Sequence, residues 1–93
     1  LLRSLIRFRE REWKACGICE GYFDKIDVAI VRVTSAIRNG DILIFEKQDG
    51  LFEHEIKSMQ IDRRDINLAT TGSEIGLKID AKPTVGSAVY KLI

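Results

Sequence analysis

The chain has 93 residues, 45% of them hydrophobic and 31% charged, which is enough for one domain and too apolar for a disordered chain. Its formal net charge is +1, so no global field draws it to polyanions, and affinity for nucleic acid has to come from a local patch. No apolar run reaches transmembrane length, and the stretch 1–6 is too short and too interrupted by Arg3 for a signal-peptide core; no membrane partner and a cytoplasmic location are expected.

Residues 1–14, LLRSLIRFREREWK, carry five basic side chains against two acidic ones, whereas residues 15–93 sum to −2. Leu2, Ile6 and Trp13 fall near one side of a helical wheel, and Arg3, Arg7 and Arg11 stack on another. The spacing predicts a short amphipathic helix or arm over 1–14, followed by a domain over 15–93. The arm has two readings: a dock for RNA or a partner, or the solvated end of a linker. The first residue is leucine, which leaves open a whole protein, a processed product or an excised domain.

Cys16 and Cys19 form a CxxC with no second pair to complete a zinc site, and the lone histidine, His54, is far along the chain. A redox CxxC usually opens a helix, whereas this one leads into β-type sequence. Residues three apart on a regular strand face opposite sides. Two small apolar residues of a reduced protein are one reading, and metal or redox chemistry is the other.

The remainder reads as strands. Residues 26–33, IDVAIVRV, are β-branched and apolar on both faces. Arg38-Asn39-Gly40-Asp41 is a turn cluster, and 42–45, ILIF, a second strand. After the turn Gln48-Asp49-Gly50, Phe52, His54 and Ile56 alternate with Glu53, Glu55 and Lys57, which places His54 on the apolar face. Residues 62–74 read as a polar loop with anchors at Ile66, Leu68 and Ala69. Ile75, Leu77 and Ile79 then alternate with polar neighbours. Beyond the break at 82–86, Ala88, Tyr90 and Leu92 alternate against Val89 and Lys91. Short strands between glycine turns predict an all-β fold, a small closed antiparallel Greek-key-like barrel of about six strands. Gly40, Gly72 and Gly86 are its turn residues. Gly76, on the outward phase, admits a close backbone or ligand.

The segment order resembles a known family. Ile37-Arg38-Asn39-Gly40-Asp41 resembles an I-x-x-G-D turn. Residues 56–61, IKSMQI, resemble a V-x-S-I-Q strand. Residues 69–77, ATTGSEIGL, resemble A-x-x-G-x-x-V-G-I, and 86–90, GSAVY, resemble G-D-x-V-Y with Ser87 in place of aspartate. In this order they are similar to the second domain of elongation factor Tu and other translational GTPases, over residues 17–93. The resemblance implies a binding module that contacts tRNA, rRNA or a translation-related protein, and Arg38, Arg63, Arg64, Arg7 and Arg11 are its candidate contacts. Arginine suits phosphate through its fork geometry.

No phosphate loop, nucleophile elbow or paired metal-binding histidines are present in the sequence. The expectation is therefore a protein without catalytic residues, metal or cofactor. The alternative is a protein-interaction accessory barrel, like the C-terminal domain of the U32 family of collagenase-like peptidases.

Overall fold

The computed structural model describes residues 12–93. Ten strands follow one another: β1 (Trp13–Phe23), β2 (Val28–Val33), β3 (Ile37–Arg38), β4 (Ile42–Lys47), β5 (Gly50–Glu55), β6 (Met59–Ile61), β7 (Arg64–Ile66), β8 (Leu68–Ala69), β9 (Glu74–Lys78) and β10 (Ala88–Leu92). Eight of them form one antiparallel sheet in the order β5-β4-β10-β1-β2-β9-β6-β7, and β3 pairs with β8 apart from it. The fold is thus all-β, as the alternation predicts, and no helix occurs among the described residues.

The expected closed barrel is corrected by this order. Among the described residues no ladder joins β5 to β7, so the sheet they form has two ends. Leu43 and Phe45 near one end nevertheless share a single core with Met59 near the other. The sheet therefore curls around its own apolar face without sealing. At the β5 end the Phe45 and Phe52 rings stack with centroids 5.3 Å apart, an arrangement that adds about 1 kcal/mol to area burial.

The strand count and several boundaries are corrected too. The helix or arm was expected over 1–14, but Trp13 and Lys14 belong to β1; residues 1–11, with Arg7 and Arg11, lie outside the described residues. Ile26 and Asp27 lie in the turn before β2, where Asp27 has φ 55° and Ile26 is exposed. The polar loop expected over 62–74 contains β7 and β8. Asp62 and Arg63, at φ 50° and 65°, make the two-residue turn between Ile61 and Arg64, and two positive-φ residues there define a type I′ hairpin.

β1 is the longest strand, and its register slips twice: between Ala15 and Gly17 against β10, and between Cys19 and Gly21 against β2. A bulge inserts one residue and reverses the side-chain phase beyond it. The first bulge turns Cys16 and Cys19 to the same side, and both are fully buried. The expectation that residues three apart face opposite ways fails for this reason. In β10 the buried residue is Val89, while Tyr90 faces out.

Candidate functional site

A concave feature that brings polar groups together is a groove of about 450 Å³ lined by Glu53, His54, Glu55, Lys57, Ser58, Lys78 and Asp80. Glu53, His54 and Glu55 come from β5, Lys57 and Ser58 from the link to β6, and Lys78 and Asp80 from the end of β9. The groove therefore lies between the terminal strand of the sheet and β9, where the curled sheet stays open.

His54 is half-buried. Burial pulls its pKa below the ordinary 6.5, and Lys57 lowers it further, while Asp80 and Glu55 oppose the shift. The imidazole is neutral near pH 7, able to donate from one ring nitrogen and accept at the other. Ser58 shares the groove, which the linear sequence did not reveal, but no hydrogen bond joins Ser58 to His54. A nucleophile and base within hydrogen-bond reach are what a catalytic relay needs, and the lining of the groove is polar and charged.

The two cysteines are far from it, in the core. Burial pushes the Cys16 thiol up to about 12, with Asp41 adding and Lys91 opposing, and burial also raises Cys19. Both are free thiols. Cys19 Sγ donates to the Gly21 carbonyl at 3.6 Å. Three residues of strand separate their Cα atoms by roughly 10 Å, beyond the ~7 Å a disulfide spans. Among the described residues no group of three or more His, Cys, Asp or Glu side chains is placed to hold a metal.

Of the arginines singled out by sequence, Arg7 and Arg11 lie outside the described residues, and Arg38 is on a different element from Arg63 and Arg64. Arg38 ends β3, in the small sheet, and its backbone N–H donates to Asp41 Oδ2 at 2.9 Å. Arg63 and Arg64 sit on the β6–β7 hairpin at the far end of the large sheet. Gly40, Gly72 and Gly86 have φ near +93°. Gly76 pairs with Ile30 on one side and Gln60 on the other, so the backbone that approaches it is β6. A Cβ there would lie 3.4 Å from Val28 Cγ1, leaving little room for a ligand.

Gly17 is the steric requirement that sequence reasoning missed. A Cβ at this position would lie 2.6 Å from Val31 Cγ1 and 2.9 Å from the Arg32 carbonyl oxygen. The only available signal was a glycine between two cysteines, which has no meaning until the bulge beside it is known.

The fold is one found in solved structures. The C-terminal domain of a candidate U32 peptidase from Geobacillus thermoleovorans superposes with a TM-score of 0.77, covering 84% of this chain and 91% of that domain at 17% identity. Its selenomethionine form gives 0.74, covering 84% and 98%. A particular relative also matches in sequence: an uncharacterised protease of Methanocaldococcus jannaschii is 35% identical over 77 residues, 82% of this chain. The chain spans about a fifth of that protein's length, 19%. No family model matches the chain.

These findings correct the resemblance to the second domain of elongation factor Tu, since the solved neighbours are forms of the C-terminal domain of a candidate U32 peptidase and the sequence relative is named a protease. The motifs behind that resemblance are turn and strand signatures. A glycine with positive φ before an alternating strand arises wherever a small antiparallel sheet needs a tight connection. No helix among the described residues is long and apolar enough to cross a membrane.

Proposed function

We propose that this chain is a non-catalytic accessory module of the kind that accompanies U32 peptidases, serving to bind or position a protein substrate or partner. The observation that carries the reading is the match of 84% of the chain to 91% of a separate C-terminal domain, with the sequence identity to a protease as independent support. The chemistry agrees with it. The thiols are buried and held protonated, and a thiol, unlike a thiolate, is a poor nucleophile. The expected RNA contacts rested on the elongation-factor resemblance, and of the described ones Arg38 lies on β3 while Arg63 and Arg64 lie on the β6–β7 hairpin.

The test is a proteolysis assay on the purified chain with unfolded casein and gelatin, followed by mass spectrometry. No new termini are expected above a buffer control. Cleavage that persists through successive purification steps and is lost in Ser58→Ala or His54→Gln would overturn the reading.

A further inference from the structure

We propose that Asn39 is a modification site gated by the fold: the native turn holds Asn39-Gly40 unreactive, and opening of that turn exposes Asn39 to deamidation, whose isoaspartate product cannot return to the native fold. The proposal does not depend on the accessory-module reading.

Of the two asparagines in the chain, Asn39 precedes glycine and Asn67 precedes leucine. In an Asn-Gly pair the main-chain nitrogen of the glycine can attack the asparagine side chain, because no Cβ on the second residue hinders the approach. Base removes the Gly40 amide proton, and the nitrogen attacks the Asn39 side-chain carbonyl carbon. A C–N bond forms, the bond to the side-chain nitrogen breaks, and that nitrogen leaves as ammonia with a proton taken from water. Water then opens the succinimide at one carbonyl to give aspartate, or at the other to give isoaspartate. Water and base are the only co-reactants.

Both residues are exposed, so water and base reach them and protection has to come from conformation. The chain turns between β3 and β4, with the Asp41 N–H donating to the Arg38 carbonyl at 3.1 Å. Gly40 has φ 93° while that of Asn39 is negative, which defines a type II turn with ψ of about +120° at Asn39. Ring closure requires the Asn39 Cβ to eclipse the Gly40 nitrogen about the Cα–C bond, and this ψ holds the two apart. The nucleophile is also occupied, since the Gly40 N–H donates to the Ile56 carbonyl at 2.7 Å. The electrophile is tethered on the other side: Asn39 Nδ2 donates to Asn67 Oδ1 at 3.1 Å, and the Asn39 N–H to the Asn67 carbonyl at 3.2 Å. Asp41 Oδ2 accepts from the Arg38 N–H at 2.9 Å, and the Asp41 carbonyl accepts from the Ile56 N–H at 2.9 Å. Rotation of Asn39 into the reactive geometry breaks the turn and these bonds with it, so reaction proceeds from a locally opened state.

The two products differ in what the fold can take back. Aspartate keeps the backbone, and the Asn67 side-chain amide can turn to donate to the new carboxylate. Isoaspartate adds a methylene to the main chain between β3 and β4, so the bonds to Ile56 and to Asn67 cannot both be remade. It therefore marks molecules that have opened and keeps them open.

The test compares deamidation of the native full chain with that of the chain unfolded in guanidinium chloride, in the same mildly alkaline buffer with a reductant, by peptide mapping and mass spectrometry. Mapping separates Asn39 from isomerisation at Asp49-Gly50, which leaves the mass unchanged. Native Asn39 should convert at least about tenfold more slowly than unfolded Asn39, by a factor within about threefold of the amide-exchange protection of Gly40, because both need the same opening. Asp41→Ala, which deletes the bond to the Arg38 N–H, should raise the native rate severalfold and leave the unfolded rate unchanged. Chain carrying isoaspartate at position 39, isolated from the unfolded reaction, should fail to regain the native amide spectrum, whereas Asn39→Asp should regain it.

Equal rates in the native and unfolded chain, or a native rate far above what Gly40 exchange allows, overturns the gating. An isoaspartate chain that refolds with the native melting curve overturns the trap. An Asn39 that stays intact in the unfolded chain overturns the site itself.

Discussion

β1 and β5 are both strands of one sheet, yet they obey opposite constraints. β1 is flanked by β10 and β2, and its bulges, both cysteines and Gly17 are fitted against neighbours on every side. Cys16 O accepts from Thr34 N–H at 2.8 Å, and Cys19 exchanges backbone bonds with Gly86 and Ser87 at 2.7 and 2.9 Å. Among the described residues β5 pairs with β4, and a groove adjoins it. Where the chain is enclosed, composition is dictated by volume. Where it is open, composition is dictated by charge and reach. The contrast places the packing constraints in the first region and the polar, solvent-facing groups in the second, and it can be broken by substitutions on either side.

The largest effect is expected at Gly17. Its substitution by alanine puts a methyl group 2.6 Å from Val31 Cγ1 and 2.9 Å from the Arg32 carbonyl. The carbonyl belongs to the β1–β2 ladder and cannot retreat without breaking it. Overpacking of this kind costs about 3 kcal/mol, readable in a urea titration. A loss below about 0.5 kcal/mol would mean that the two strands lie farther apart than described.

Next come the buried thiols. Cys16→Ser replaces a tolerant sulfur with a hydroxyl in an apolar site, at a cost of about 1–3 kcal/mol, and Cys16→Ala should cost less than the serine. With its pKa near 12, Cys16 is thiolate to only about one part in ten thousand at pH 8. Native protein should resist iodoacetamide and unfolded protein should react at both sites. Rapid alkylation of the native chain at Cys16 would place that thiol outside the core.

His54 couples the open region to pH. Its folded pKa lies below the unfolded 6.5, so as pH falls through that value the unfolded chain takes up a proton that the folded chain resists. Stability should therefore decline from about pH 7 downward, by a smaller amount than either core substitution because the site is half exposed. His54→Gln should flatten the slope between about pH 5 and 7. An unchanged slope would show that the imidazole is fully solvated.

The same contrast explains what the sequence disclosed. The core of β9 was legible because Ile75 and Leu77 keep period-two alternation, and those of β2 and β4 because Val31, Leu43 and Phe45 stand in short apolar, β-rich runs. The β1 phase was not legible, because a bulge is chosen by neighbouring strands and leaves no composition signal. The phase of β10 misled for a related reason. Leu92 and Tyr90 look more apolar than Lys91, but Lys91 is partly buried along its stem and donates its ammonium to the Ala36 carbonyl, a long cation covering apolar surface. His54 and its acidic neighbours were visible singly. Lys78 and Asp80 could join them only through the strand order, which is non-local. The closed barrel failed for the same reason, since closure depends on whether β5 and β7 meet and no local pattern reports that.

The smallest effect tests whether surface charge contributes anything on the enclosed side. Arg32 on β2 donates from Nε to Glu20 on β1 and from a terminal guanidinium nitrogen to Glu74 on β9, each at 3.0 Å. The Arg32 hydrogen bond holds the Glu20 carboxyl below its usual 4.5. A carboxylate with a depressed folded pKa stabilises above its unfolded pKa, and the contribution disappears as pH falls through the folded value. All three side chains are well exposed, so screening leaves little net gain. Arg32→Gln should therefore lower the melting temperature slightly at pH 7 and low salt, with the difference vanishing below about pH 4 or in about 1 M salt. A deficit that survives both treatments would show that the aliphatic stem of Arg32, packed across three strands, matters more than its charge. The outer face of β1, β2 and β9 would then be governed by packing like the core beneath it.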